Sequence, residues 1–211
     1  TATTSGSVSI RSANAGTNGA SGMLVFSSGS ASQGNSGLVM IGSGAATTGR
    51  GGSVAISVGS GNSGAGGYMS LMAGRSDAVT GGKVVIDGGE GTATTSGSVK
   101  IRSANSGTNG ASGMLVFSSG TASSGNSGLV MIGSGASSGG RGGSISIAVG
   151  SGNSGAGGYM SLMAGRSEVV TGGKVVIDGG EGTATTSGSV SIRSANAGTN
   201  GASGMLVFSS G

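Results

Sequence analysis

The chain contains no cysteine, no proline, no histidine and no tryptophan. Without Cys and His there is no disulfide, no thiolate or imidazole metal ligand and no Ser-His or Cys-His nucleophile. Aromatic residues make up 2% and charged residues 8% of 211, so the stacking platforms and basic tracts of a nucleic-acid binder lack their material. No apolar run reaches the ~18 residues of a transmembrane helix. The absence of Pro means that no backbone donor is missing from any ladder the chain could form. What is abundant is glycine, 52 residues, with Ser, Ala and Thr around it. That composition alone describes a flexible linker. The hydrophobic fraction of 34% does not, because a solvated Gly/Ser coil has no use for regularly placed Val, Ile, Leu and Met.

The placement of those residues is periodic. Residues 1–91 recur as 92–182 with twelve substitutions, and 183–211 match 1–29 at every position. Within this long repeat a shorter module opens on Gly6, Gly22, Gly37, Gly52, Gly67 and Gly82, and again from Gly97; one module has 16 residues and the other five have 15. Counting from the opening Gly, positions 3 and 5 are always apolar: Val8/Ile10, Leu24/Phe26, Val39/Ile41, Val54/Ile56, Met69/Leu71, Val84/Ile86, and so on to Leu206/Phe208. A spacing of two is the strand period, and β-branched residues dominate. One short strand per module is therefore expected, followed by a corner at position 8, where Gly29, Gly44, Gly59, Gly74 and Gly89 stand and Gly permits positive φ or close backbone approach. The Ser/Gly/Thr/Asn-rich remainder reads as a second, weaker strand.

A strand that cannot bury its face alone can do so by stacking on its neighbours. The expected fold is thus all-β: a flattened, two-sided β-solenoid of about fourteen modules, continuous over 1–211, with superrepeats at 1–91, 92–182 and a partial 183–211. Its ends carry no polar cap, which predicts an excerpt of a longer array. Stacking would bring Asp87 beside Arg102, Arg75 beside Glu90, Asp178 beside Arg193 and Arg166 beside Glu181, each pair one module apart in one column and favourable across neighbouring strands.

With positions 3 and 5 inward, positions 2, 4 and 6 face out. There the sequence is unexpectedly apolar, with Met23, Val25, Leu38, Met40, Tyr68 and Met72, restored one long repeat later as Met114, Val116, Leu129, Met131, Tyr159 and Met163. An apolar outer patch recurring about every 29 Å marks an association surface. A periodic patch suits a periodic partner, and the expected one is another copy of the chain, packed laterally and end to end.

Literal matches to chemical motifs give way to the repeat. Gly59-Ser60-Gly61-Asn62-Ser63-Gly64 fits the dinucleotide glycine pattern, but no helix follows it. Gly81-Gly82-Lys83 runs into Val84 rather than the Ser or Thr of a phosphate loop. Gly88-Gly89-Glu90-Gly91 has Ala93 where a calcium nonapeptide needs Asp. Asp87 and Glu90 could be drawn as an acid and a base, yet each already has a cation in its column. No catalytic residue, cofactor or metal is expected, and the ten Lys and Arg, net charge +4, are scattered singly.

The pattern Gly-x-[Val/Leu]-x-[Ile/Phe] at steps of 15 resembles the short-repeat Gly/Ser-rich β-solenoids of filamentous extracellular and surface proteins, and of ice-binding rods. The resemblance implies an extracellular or cell-surface location and a structural, filament-forming role. The alternative is a surface adhesin or ice-binding rod using its Ser/Thr/Asn side, with glycans as further partners. Outward Thr-x-Thr ladders of ice binders are lacking here.

Overall fold

The computed structural model describes residues 5–210; Thr1–Thr4 and Gly211, with the expected mid-module ends, lie outside them. The chain divides into two units, Thr1–Arg102 and Ser103–Gly211. The division falls inside the module opened by Gly97.

The expected β-solenoid is not formed. Among the described residues there is no strand, no sheet and no helix, and no buried residue, polar or apolar. Val54 and Ile56, expected inside, are 53% and 73% exposed. The second strand is absent too; its residues form bends centred near positions 11 to 13 of each module, as at 47–49, 62–64 and 77–79. The chain exposes 20705 Å². A compact monomer of 19.2 kDa exposes about 8,400 Å² and a fully extended chain about 28,000 Å², so most of the surface that folding normally removes from water is still in water.

Order resides instead in loops. The amide of an opening Gly donates to the carbonyl of position 8 in the module before it: Gly52 to Gly44 at 3.0 Å, Gly67 to Gly59 at 3.3 Å, Gly82 to Gly74 at 2.8 Å and Gly97 to Gly89 at 2.8 Å. The second unit repeats this with Gly143 to Gly135 at 3.3 Å, Gly173 to Gly165 at 2.9 Å and Gly188 to Gly180 at 2.8 Å. Each bond closes a loop whose ends lie eight residues apart. The 16-residue modules reverse differently, through a four-residue turn in which Gly19 donates to Gly16 at 3.1 Å, Gly110 to Gly107 at 3.3 Å and Gly201 to Gly198 at 3.4 Å. The Thr-Asn pair at the centre of each turn supplies residues at home in turns.

The loops also explain the opening glycine. A Cβ on Gly67 would lie 2.6 Å from Val58 Cγ1, one on Gly52 would lie 2.9 Å from Ser43 Cβ, and one on Gly82 would lie 3.1 Å from the Gly74 nitrogen. In these modules position 7 or 8 lies against the next opening residue, and a Cβ there would make the Ser43 Cβ, the Val58 side chain or the Gly74 backbone shift. Position 8 was the expected site of this constraint. Yet a Cβ on Gly44, Gly59, Gly74 or Gly89 meets nothing within 4 Å, and none of these glycines has positive φ. Among the described residues positive φ is confined to Gly34, at 127°, and Gly125, at 93°, the same position one long repeat apart.

The physical reason for the missing sheet is local closure. The backbone hydrogen bonds of the described residues join groups three or eight residues apart within or between adjacent loops, and the apolar segments between them, such as 38–41, have no backbone partner. Two constant apolar positions in fifteen residues give little area with which to offset the ordering of a Gly-rich chain, whose conformational freedom is the largest of any. Partial cover falls on small residues rather than on greasy ones: Ser12, Ser76, Gly91, Ser103, Ser167, Gly182 and Ala197 are half-buried.

Candidate functional site

The residues expected to form a lateral patch are all in solvent. Met23, Leu38, Met40, Tyr68 and Met72 in the first unit, and Met114, Leu129, Met131, Tyr159 and Met163 in the second, are 77–89% exposed; Val25 and Val116 are somewhat less so, at 62% and 61%. The expected contrast between an inner and an outer set survives only as a gradient. From Leu24 to Leu206 the first member of each apolar pair is 47–53% exposed. The position-5 residues of the same modules are more exposed, and Val8, in the first module, is 90% exposed.

Apolar side chains from two successive modules meet at a shallow hollow. A notch of about 380 Å³ is lined by Phe26, Val39, Met40 and Ile41. Phe26 closes one apolar segment and Val39 to Ile41 belong to the next, so the loop between them, which contains the positive-φ Gly34, brings the two segments to a common hollow. A second hollow, of about 290 Å³, is polar and lined by Arg193, Ser194, Ala195 and Asn196. Neither contains a set of groups able to carry out acid–base or nucleophilic chemistry. Among the described residues no three His, Cys, Asp or Glu side chains cluster as metal ligands would, and no helix is long and apolar enough to cross a membrane.

The charges pair within modules rather than between them. Arg75 Nη1 lies 3.2 Å from Asp77 Oδ1, and Arg166 bonds Glu168 in the corresponding place. These are the ion pairs of the described residues. The cross-module partners Glu90 and Glu181 are not within bridging distance of those arginines, and Asp87–Arg102 and Asp178–Arg193 form no bridge either. The sequence signal for the pairing was an Arg-Ser-acid triplet present once in each long repeat, with Asp77 replaced by Glu168 so that the charge is kept. Its middle residue shapes the same bend. Ser76 Oγ accepts the Val79 amide at 3.1 Å and Ser167 Oγ the Val170 amide at 3.0 Å, a local side-chain-to-backbone bond typical of Ser in turns.

Two further hydroxyls reinforce loop closure. Ser43 Oγ donates to the Gly52 carbonyl at 2.8 Å, and Ser134 Oγ to the Gly143 carbonyl at 3.0 Å. The glycine-rich segments that mimic nucleotide or calcium motifs are spent in the same way. A Cβ on Gly61 would lie 2.6 Å from the Gly64 carbonyl oxygen, and one on Gly91 would lie 2.5 Å from the Thr95 carbonyl oxygen. There the small residue makes room for the chain's own backbone. Comparison with known proteins finds no family model, no curated protein and no solved structure that matches the chain.

Proposed function

We propose that the chain is a structural, self-associating repeat protein, whose copies assemble through the recurrent Met/Leu/Val/Tyr residues into an extracellular fibre or surface appendage. The observation that carries this reading is the exposure of large apolar side chains in every module, at the same module positions, in a chain with no buried core among its described residues. Apolar surface of this extent is costly in water. A copy of the same chain presents the same residues at the same intervals, which makes it the partner best matched in period. Two further features favour assembly. With 8% charged residues and a net charge of +4, little electrostatic repulsion keeps copies apart. Segments such as Leu38–Ile41 combine high β-propensity, no charge and no Pro with unpaired backbone groups, the pattern of segments that pair with other chains.

The test replaces Leu38, Met40, Leu129 and Met131 by Asp and follows particle size against concentration by sedimentation velocity. These side chains are 77–81% exposed, and full burial of each contributes about 1.5–3 kcal/mol. Loss of all four should weaken association by roughly 5–10 kcal/mol per chain, several powers of ten in concentration. Association at the unchanged concentration would refute the assignment of these residues.

A further inference from the structure

The chain offers an oxidant very few targets. With no Cys, His or Trp, its sulfur is all thioether, in nine methionines. Six of these belong to the apolar residues assigned to association: Met23, Met40, Met72, Met114, Met131 and Met163, each 80–87% exposed. Met69 and Met160, at the half-covered position 3, are 47% and 48% exposed, and Met205, the counterpart of Met23 in the partial third repeat, is 83% exposed. Six of the seven most accessible sulfurs thus lie on the surface that self-association would cover, three in each long repeat.

We infer that these six methionines form a redox-controlled set, in which a hydroperoxide converts the free chain to a sulfoxide form that does not assemble. The inference rests on the self-association reading. In the step, the thioether sulfur attacks one oxygen of hydrogen peroxide; the O–O bond breaks, an S–O bond forms, and the other oxygen leaves as water after proton transfer. Sulfur is oxidised by two electrons and the peroxide is reduced by two. A flexible apolar side chain becomes polar and chiral, the change by which Met-rich interfaces are disrupted, and thiol-dependent reductases reverse it. Assembly would in turn cover the same sulfurs, so that the free chain is the vulnerable form.

The experiment treats the whole chain, below its association concentration, with hydrogen peroxide. After the oxidant is quenched, the oxygens added are counted by intact mass, and sedimentation velocity gives the concentration of half-association. A parallel chain carries Met23→Leu, Met40→Leu, Met72→Leu, Met114→Leu, Met131→Leu and Met163→Leu, which keeps the apolar surface and removes the sulfur of the set, leaving Met69, Met160 and Met205 to take up oxygen in both chains. The expected result is a rise of about tenfold or more in the half-association concentration of the oxidised natural chain, a difference of about 1.4 kcal/mol. The leucine chain should barely change, and sulfoxide reductase should restore the treated natural chain. Oxidised natural chain that associates as before, failure of peroxide to add oxygen, or an equal response from the leucine chain would each overturn the inference while leaving self-association intact. Absence of association in the untreated chain would remove the self-association reading itself, and the redox control with it.

Discussion

The bond from the Gly82 amide to the Gly74 carbonyl, 2.8 Å long, allows a test in which two alanines at opposite ends of one contact have unequal effects. At Gly82 a Cβ would lie 3.1 Å from the Gly74 nitrogen and 3.3 Å from Ala73 Cβ; at Gly74 it would meet nothing within 4 Å. Neither residue has positive φ, so alanine strains neither backbone. Both substitutions narrow the open ensemble, which favours the closed loop by about 0.4–1 kcal/mol. Only Gly82→Ala crowds the facing backbone, which must give by a few tenths of an ångström and so weakens a hydrogen bond with a net contribution of up to about 0.5–1.5 kcal/mol. The entropic gain is common to both variants and cancels in their difference, leaving a closed-to-open ratio up to roughly 2- to 13-fold lower for Gly82→Ala than for Gly74→Ala. The assay is the through-bond coupling and temperature coefficient of the residue-82 amide in the NMR spectrum, with Gly173→Ala and Gly165→Ala as the replicate in the second unit. Equal closure in the two variants, or a weaker loop in Gly74→Ala, would refute the assignment of the glycine requirement to the opening position.

Gly34→Ala should disfavour its bend by about 1–3 kcal/mol, because φ of 127° is open almost only to Gly; three-bond amide couplings across residues 32–36 should report a changed backbone there. Far-UV circular dichroism of the chain below its association concentration is expected to lack a β-sheet minimum, and a strong minimum would contradict the uncovered modules described above. Asp77→Asn and Glu168→Gln remove ion pairs whose side chains are 80% and 73% exposed. Pairs so exposed contribute little, and the half-association concentration should stay within about threefold of the natural chain's. A larger shift in sedimentation velocity would make these pairs part of the interface.

The repeat itself was legible. Bends recur at the module interval predicted from glycine spacing, seven of the 15-residue modules close through a Gly-to-Gly bond, and the extra residue of the longer module coincides with its different turn at Gly16–Gly19. The step from alternation to sheet is where the reading failed. Val54 and Ile56 two residues apart define which way side chains alternate along an extended segment, but a strand exists only if another segment bonds to it, and nothing local specifies that partner. The same difficulty misdirected the charges. Arg75 and Glu90 share a column only if modules stack, whereas Arg75 and Asp77 need no tertiary structure to meet. Likewise the constraint on Gly52 and Gly67 comes from Ser43 and Val58 across a closed loop, a contact invisible in a list of module positions. Exposure does not single out the candidate surface, because the residues expected inside, such as Val54 and Ile56, are exposed as well.

Because each closing bond reaches no farther than the adjoining module, stability is not pooled along the chain. Heating should therefore loosen the loops one by one over a broad range of temperature, with no single cooperative transition. A version with more or fewer modules would keep each loop unchanged, so that length is free to vary without retuning any residue.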